Sequence, residues 1–207
     1  MIKDIVFDFG GVLTTIDPNV ALKRFAALGV ENPGEMINSY CQKGAFFALE
    51  NGDITAVEFC HELSAMCGRE ITIEEAKHAW MGFIVDVHTT LLEYLQTLRG
   101  KYRLSVLSNT NPFIQSWACS PEFTPEGKSL KDYFDMLFFS FELNSSKPSH
   151  EIYLKMLEQG KMVAHETLFL DDGVKNINAA AELGIKTLKV ENGGDWRKAL
   201  QDILEKY

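Results

Sequence analysis

The acid that ends the first apolar run of this sequence, Asp8, stands where a reactive carboxylate would be placed. Residues 2–7 are mostly apolar, and Gly10 and Gly11 follow the acid, a pattern typical of a buried parallel strand. In open α/β sheets, ligands bind outside the carboxyl ends of the strands. We therefore expect Asp8 at the mouth of a ligand crevice, where the glycines let a ligand approach the backbone. The alternative for an isolated Asp-x-Gly-Gly stretch is an acid that caps the following turn.

Polar side chains also end or follow three later predicted strands. They are Ser108 and Asn109, Lys147 before Pro148, and Asp171 with Asp172. Taken singly, each has an ordinary explanation as a turn residue, a solvated lysine or a helix cap. The carboxyl ends of parallel strands share one edge of a sheet, so together these side chains predict one site at that edge.

The segments that must position these side chains alternate between strand and helix from about residue 88 onward. This alternation predicts an α/β fold with a doubly wound parallel sheet. Between about residues 16 and 85 the sequence indicates only helices and turns, among them a helix after Pro33. Helix starts are indicated by Asp17 with Pro18, Thr55 with Glu58, and Thr72 with Glu75. We therefore predict a core domain of residues 1–15 and 88–207, with a small all-helical domain (16–87) inserted after the first strand.

Composition narrows the class of protein. The net charge is −9, without a basic cluster, so no nucleic-acid partner is expected. No apolar run is as long as a membrane span, and no signal-peptide pattern opens the sequence. Four cysteines show neither close pairs nor metal-ligand spacing, which favours a reducing cytoplasm: Cys41, Cys60, Cys67 and Cys119. We expect a monomer or a homodimer without a membrane partner.

The order and spacing of the polar strand ends resemble motifs I to IV of the haloacid dehalogenase-like (HAD) hydrolases. The resemblance covers residues 1–15 and roughly 88–207, and the helical insert stands where subfamily IA has its C1 cap. It implies that Asp8 is a nucleophile and that Ser108 holds a phosphoryl group. It also implies that Lys147 orients Asp8 and offsets anionic charge.

Motif IV of the family is matched by Asp171, Asp172 and Asn176. The resemblance implies a Mg²⁺ site formed by Asp8, Asp172 and the backbone carbonyl of Gly10. Asp171 either supports these ligands without contacting the ion or serves as an alternative ligand. Mg²⁺ prefers such hard oxygen ligands. The residues expected to bind substrate are Ser108, Asn109, Lys147, Gly10 and Gly11.

The implied function is a Mg²⁺-dependent phosphatase that hydrolyses a small phosphorylated metabolite through an aspartyl-phosphate on Asp8. The sequence departs from the family at Gly10, where most members carry a second Asp as general acid and base. Sugar-phosphate phosphatases with Asp-x-Gly in motif I share this departure, and so do 2-haloacid dehalogenases and phosphonatases. Asp17 is the nearest acid that could substitute, although its position before Pro18 favours a helix cap. Glu50 lies at a predicted turn, facing either solvent or the crevice.

Two alternatives stay open from the sequence. A 2-haloacid dehalogenase would use Asp8 on carbon, but such enzymes lack paired acids like Asp171 and Asp172. These acids would raise the pKa of Asp8 if no cation were present. A non-catalytic HAD-like binding module is the other alternative, and retention of Asp8, Lys147 and Asp172 together argues against it.

Overall fold

The computed structural model describes residues 1–38 and 42–207 of the chain. Its strands are β1 (Asp4–Phe7), β2 (Thr14–Ile16), β3 (Ile84–Val87), β4 (Arg103–Ser108), β5 (Met136–Phe139), β6 (Thr167–Asp171) and β7 (Lys186–Lys189). Five of these strands form one sheet in the order β5-β4-β1-β6-β7, with every neighbouring pair parallel. The predicted α/β class with a parallel sheet is confirmed.

Strand β1 lies at the centre of the sheet because it is apolar toward both faces. Ile5, Val6 and Phe7 are each 0% exposed. Successive side chains of a strand point to opposite faces. Accordingly, Val6 belongs to one hydrophobic cluster, whereas Ile5 and Phe7 belong to another. Helices therefore cover both faces of the sheet, as a doubly wound fold requires.

Ten α-helices occur in the described residues. They are α1 (Pro18–Leu28), α2 (Gly44–Asn51), α3 (Ala56–Cys67), α4 (Ile73–Trp80), α5 (Thr89–Leu98), α6 (Pro112–Ala118), α7 (Ser140–Leu143), α8 (His150–Gly160), α9 (Val174–Glu182) and α10 (Arg197–Leu204). Within the described ranges, none of them combines the length and apolar character needed to cross a membrane.

The predicted helix starts are confirmed at three positions. Thr55 and Thr72 each accept a hydrogen bond from the backbone N–H of a glutamate three residues on, and that glutamate accepts one in return. The Asp17 carboxylate accepts from the backbone N–H of Asn19 at 2.9 Å. Asp17 is therefore the cap of α1, and it lines neither of the two cavities described below.

Helices α1 to α4 pack around a shared aromatic cluster. Phe25, Phe46, Phe59 and Trp80 are at most 1% exposed, and their ring centroids lie 5.0 to 6.1 Å apart. Edge-to-face pairs of this kind add ~0.5–1.5 kcal/mol each beyond burial. Phe59 also contacts Phe113 of α6 at 6.0 Å, which joins this helical layer to the segment that follows β4.

The expectation of helices and turns alone between residues 16 and 85 is wrong at both ends of that stretch. Strands β2 and β3 pair antiparallel there, in a ladder shifted between Thr15 and Ile16. Strands of three or four residues are too short to show a two-residue period. The division expected at residues 15/16 and 87/88 falls at this strand pair, and it stays a prediction.

Two shorter corrections concern helices. The helix expected after Pro33 is a 3₁₀ turn (Pro33–Glu35), and the part of that prediction at Tyr40 lies outside the described residues, as does Cys41. The sequence does not predict helices α2 and α7, because neither has a side-chain cap that marks its start.

Candidate active site

The carboxyl ends of three adjacent strands bring the predicted polar residues together. Asp8 follows β1, Ser108 ends β4 and Asp171 ends β6. The backbone N–H of Asp8 donates to the carbonyl of Leu170 at 2.8 Å, so the ladder with β6 continues to the acid itself. The sheet order therefore explains why residues far apart in the sequence meet at one edge.

Lys147 is the cation at the centre of this group. Its Nζ donates to Oδ1 of Asp8 at 2.8 Å, to Oδ2 of Asp171 at 2.7 Å and to the carbonyl of Leu107 at 3.1 Å. The side chain is 1% exposed. Burial lowers the pKa of Lys147, but the carboxylates of Asp171 and Asp8 raise it above its ordinary value. Three donors with three acceptors fix the ammonium in place, so the geometry suits a group that positions Asp8.

The backbone of Lys147 is held by the side chain of Asn109. The Asn109 amide donates to the Lys147 carbonyl at 2.9 Å and accepts from the Lys147 N–H at 2.8 Å. These two hydrogen bonds resemble a backbone pair between neighbouring β-strands, and they join the loop after β4 to the loop that carries Lys147. Asn109, expected to bind substrate, thus orients Lys147 while it also lines the cavity.

The two acids of the β6 end occupy different environments. Asp171 is 0% exposed, and besides Lys147 its carboxylate accepts from the N–H of Gly173 at 2.6 Å and from the amide of Asn176 at 3.0 Å. Asp172 is 9% exposed and lines both cavities of the site. Asp172 is therefore the acid that is open to the cavities, whereas Asp171 chiefly holds Lys147.

Gly10 and Gly11 differ in what they do. Gly11 has φ +81°, and a Cβ there would lie 2.5 Å from Oδ2 of Asp172, so the missing side chain makes room for that acid. Gly10 has no positive φ, and a Cβ would meet only the side chain of Ile16, at 3.4 Å. Gly10 lines the cavity but Gly11 does not, so the geometry lends no support to Gly11 as a substrate contact.

The charge of the site calls for a further cation. Burial, assisted by the charges of Asp171 and Asp172, raises the pKa of Asp8 to about 8, because lost hydration outweighs the attraction of Lys147. A carboxyl group with this pKa is mostly protonated at neutral pH unless another cation joins it. Three ionised carboxylates and one ammonium also leave a net charge of −2, which repels an anionic substrate.

A divalent cation fits the donor set. Asp8, Asp171 and Asp172 each offer a carboxylate oxygen, and these oxygens lie within 4.8 Å of one another. Hard oxygen donors of this kind suit Mg²⁺. Two positive charges would also cancel the net charge of the four ionised groups.

The inner of two adjoining cavities opens over Asp8. It has a volume of about 90 Å³ and is lined by Asp8, Ser108 and Lys147 from the sheet edge and by Glu50 and Trp80 from the helical layer. Its small volume suits a phosphoryl group better than a whole sugar phosphate. The outer cavity, of about 880 Å³, shares six lining residues with the inner one: Gln42, Glu50, Asn109, Lys147, Asp172 and Asn176.

Sequence reasoning missed part of the cavity wall. Gln42, Trp80 and Phe83 come from the helical layer, and none carries a motif that marks it out. The sequence leaves open whether Glu50 faces solvent or the crevice, and the structure places it in the cavity wall. Placing Glu50 from the sequence would have required a prediction of helix α2, whose start has no capping side chain.

Comparison with known proteins agrees with the geometry. The model of the haloacid dehalogenase-like hydrolases matches residues 2–184. A D-ribitol-5-phosphate phosphatase of Bacteroides thetaiotaomicron is 48% identical over 204 residues, covering 99% of each chain. Among solved structures, a predicted HAD-like hydrolase from Porphyromonas gingivalis has a TM-score of 0.95 at 38% identity, covering 100% of both chains.

Another similar structure is a HAD family enzyme from Bacteroides thetaiotaomicron in complex with magnesium and inorganic phosphate. It has a TM-score of 0.86 at 34% identity and covers 96% of this chain and 99% of that one. The family model and these relatives span the strand ends that form the site. The chain therefore belongs to the haloacid dehalogenase-like hydrolases.

Proposed function

We propose that this protein is a Mg²⁺-dependent phosphatase that acts on the phosphate monoester of a small polyhydroxylated compound, an alditol or sugar phosphate. The observation that carries the proposal is the group of Asp8, Asp172 and Lys147 around a cavity of phosphoryl size. The 48% identity with a D-ribitol-5-phosphate phosphatase supports the same conclusion.

The nucleophile in this proposal is Asp8. Its Oδ1 accepts from Lys147 at 2.8 Å and from the N–H of Phe9 at 2.7 Å, and these fix the carboxylate plane. Oδ2 is the oxygen that attacks phosphorus, forming an aspartyl-phosphate that water then hydrolyses. Ser108, 2% exposed at the end of β4, offers its hydroxyl to a phosphoryl oxygen.

The proposed Mg²⁺ ligands are Asp8, Asp172 and the backbone carbonyl of Gly10. When bound, the ion neutralises charge on the phosphoryl group and on the carboxylates. Asp171 contributes by holding Lys147, which keeps Asp8 oriented when the ion leaves.

The outer cavity fits the remainder of a polyhydroxylated substrate. Its wall carries amide, hydroxyl and charged side chains, namely Gln42, Glu50, Asn51, Asn144, Ser145, Ser146, Ser149, Lys175, Lys189, Glu191 and Asn192. Such groups hydrogen-bond hydroxyls and discriminate against analogues that lack them. In this proposal the helical layer of residues 16–87 acts as a cap that supplies part of this wall.

The location we propose is the cytoplasm, where phosphorylated metabolites occur and thiols stay reduced. The cysteines of the described residues agree, since Cys60, Cys67 and Cys119 are free thiols.

The experiment is the release of inorganic phosphate from a panel of alditol, sugar, nucleotide and amino-acid phosphates, with Mg²⁺ and with chelator. We expect turnover of alditol or sugar phosphates that needs Mg²⁺. Asp8→Asn, nearly isosteric but unable to attack, is the matched inactive control. No turnover of any phosphate, or halide release from 2-haloacids in chelator, would overturn the proposal.

A further inference from the structure

Among the described residues, the inner cavity contains one titratable side chain for which the proposed chemistry has no use. Four of the described lining residues titrate: Asp8, Lys147 and Asp172 of the sheet edge, and Glu50 of helix α2. The first three are the nucleophile, its positioning cation and a metal ligand. Glu50 lines the same space from helix α2, and it also lines the outer cavity, which we propose for the remainder of the substrate.

The end of α2 that carries Glu50 is bound to the sheet edge. The hydroxyl of Ser140 donates to the Glu50 carbonyl at 2.5 Å and accepts from the N–H of Thr110 at 3.0 Å. The amide of Asn144 donates to the carbonyl of Gly52 at 3.0 Å. A Cβ at Gly52 would lie 2.1 Å from the carbonyl of Phe141, so a glycine is needed for this close approach. The backbone at Glu50 is therefore fixed against the sheet edge, next to the cavity that its side chain lines.

The surroundings of Glu50 favour its neutral form. Glu50 is partly buried, and its loss of hydration raises its pKa to about 8, although the amide of Asn111 acts in the opposite direction. Asn111 is itself buried, and its Oδ1 already accepts the N–H groups of Phe113 and Ile114. A carboxyl group that is neutral near pH 7 can donate a proton, which an ionised one cannot.

We propose that Glu50 is the proton donor to the leaving oxygen of the substrate, supplied by helix α2 in place of the acid that Gly10 lacks. This inference rests on the proposed phosphatase function. Oδ2 of Asp8 forms the new bond to phosphorus, the bond from phosphorus to the leaving oxygen breaks, and that oxygen takes the Glu50 proton and departs as an alcohol. Water then occupies the vacated place, gives a proton back to Glu50 and attacks the aspartyl-phosphate, which releases phosphate and restores Asp8.

The test compares two substrates of nearly equal size, ethyl phosphate and 2,2,2-trifluoroethyl phosphate. Trifluoroethanol is much the better leaving group and depends less on protonation. We measure kcat/KM for alcohol release in the presence of Mg²⁺. The enzyme is in excess over the ester, so that slow hydrolysis is still quantified. Neither ester has a free hydroxyl, so lost recognition of hydroxyl groups does not contribute.

For Glu50→Gln we expect kcat/KM for ethyl phosphate to fall ~10²-fold or more, and that for the trifluoroethyl ester far less. Glu142→Gln on α7, the same exchange at an acid outside both cavities, is the control and leaves both values unchanged. Adding Gly10→Asp to Glu50→Gln restores ethyl phosphate hydrolysis, because position 10 has the space and backbone for a side chain.

Equal losses with both esters would overturn the inference, since a residue that only binds or supports the fold does not sense the leaving group. No loss with either ester would overturn it as well. In both cases wild-type turnover shows that the phosphatase function stands. A wild type that hydrolyses no phosphate ester with Mg²⁺, these two esters and the alditol and sugar phosphates included, overturns the function and the inference together.

Discussion

Replacing Lys147 by Met removes the cation that two buried carboxylates share. Methionine keeps most of the length of the stem but has no charge and no donor. Asp8 and Asp171 each lose an ion pair with the Lys147 ammonium, at 2.8 and 2.7 Å respectively. Because Asp171 is 0% exposed, water does not replace its lost partner. Breaking a buried pair by removing one partner costs ~3–5 kcal/mol. We expect Lys147→Met to lose that amount of unfolding free energy.

Urea unfolding in chelator at pH 8 measures the loss. With a slope of ~2–3 kcal/mol per molar urea, the midpoint of the variant should fall by ~1–2 M. The variant holds carboxyl groups whose pKa is raised in the folded state, so its folded state binds more protons than its unfolded state. The stability of the variant therefore declines as pH rises. The difference in unfolding free energy between wild type and variant narrows as pH falls toward the ordinary carboxyl pKa of ~4.

Two controls separate this reasoning from a general effect of losing a lysine. Lys198→Met removes the cation of an exposed pair with Asp202, and its midpoint should stay at the wild-type value. Added Mg²⁺ should reduce the difference in urea midpoint between Lys147→Met and wild type, because the ion supplies positive charge to the same carboxylates. Equal midpoints for Lys147→Met and wild type at pH 8, or a gap that widens on acidification, would refute the argument.

Two further variants test the acid and the glycines around it. Asp172→Ala should weaken Mg²⁺ binding in calorimetry while the urea midpoint in chelator stays close to wild type, and unchanged binding would exclude Asp172 as a ligand. Gly11→Ala should lose at least ~1–2 kcal/mol, because φ is +81° and the new Cβ meets Asp172 at 2.5 Å. Gly10→Ala is its matched control, since it meets only Ile16 at 3.4 Å; equal stability of the two alanine variants would contradict the distinction.

The sheet edge of the site could be predicted because its signals are local. Asp8, Ser108 and Asp171 each end a short buried strand, and parallel strands bring such ends together whatever the intervening chain does. The Lys147 position followed from its motif. The amide pair by which Asn109 holds Lys147 could not be foreseen, since it joins two loops that only the finished fold places side by side.

The cap side of the site could not be predicted for a different reason. Helix α2 (Gly44–Asn51), with the sequence GAFFALEN, buries Ala45, Phe46 and Leu49, and the residue before it, Lys43, makes no side-chain capping bond. An apolar stretch of eight residues has no clear helical period. The direction of Glu50 depends on how this helix docks, which the sequence around it does not encode.

The central place of β1 has a consequence for how the chain folds. The salt bridge from Arg103 to Asp4 spans 99 residues, and the partner of Asp4 in β6, Thr167, is farther still. Contacts of such long sequence separation form slowly, whereas β4 with β5 and β6 with β7 close shorter loops.

The second of these units contains Asp171, Lys147 follows the first, and neither contains Asp8. Strand β1 lies between the two units, so Asp8 gives up its hydration only when β1 inserts as the closing strand. Insertion of the nucleophile and completion of the sheet are then one event, so partly folded chains carry no competent site. In pulse-labelled hydrogen exchange during refolding, we expect the amides of β1 to gain protection after those of β4 and β6; simultaneous protection would show that the sheet closes in a single step.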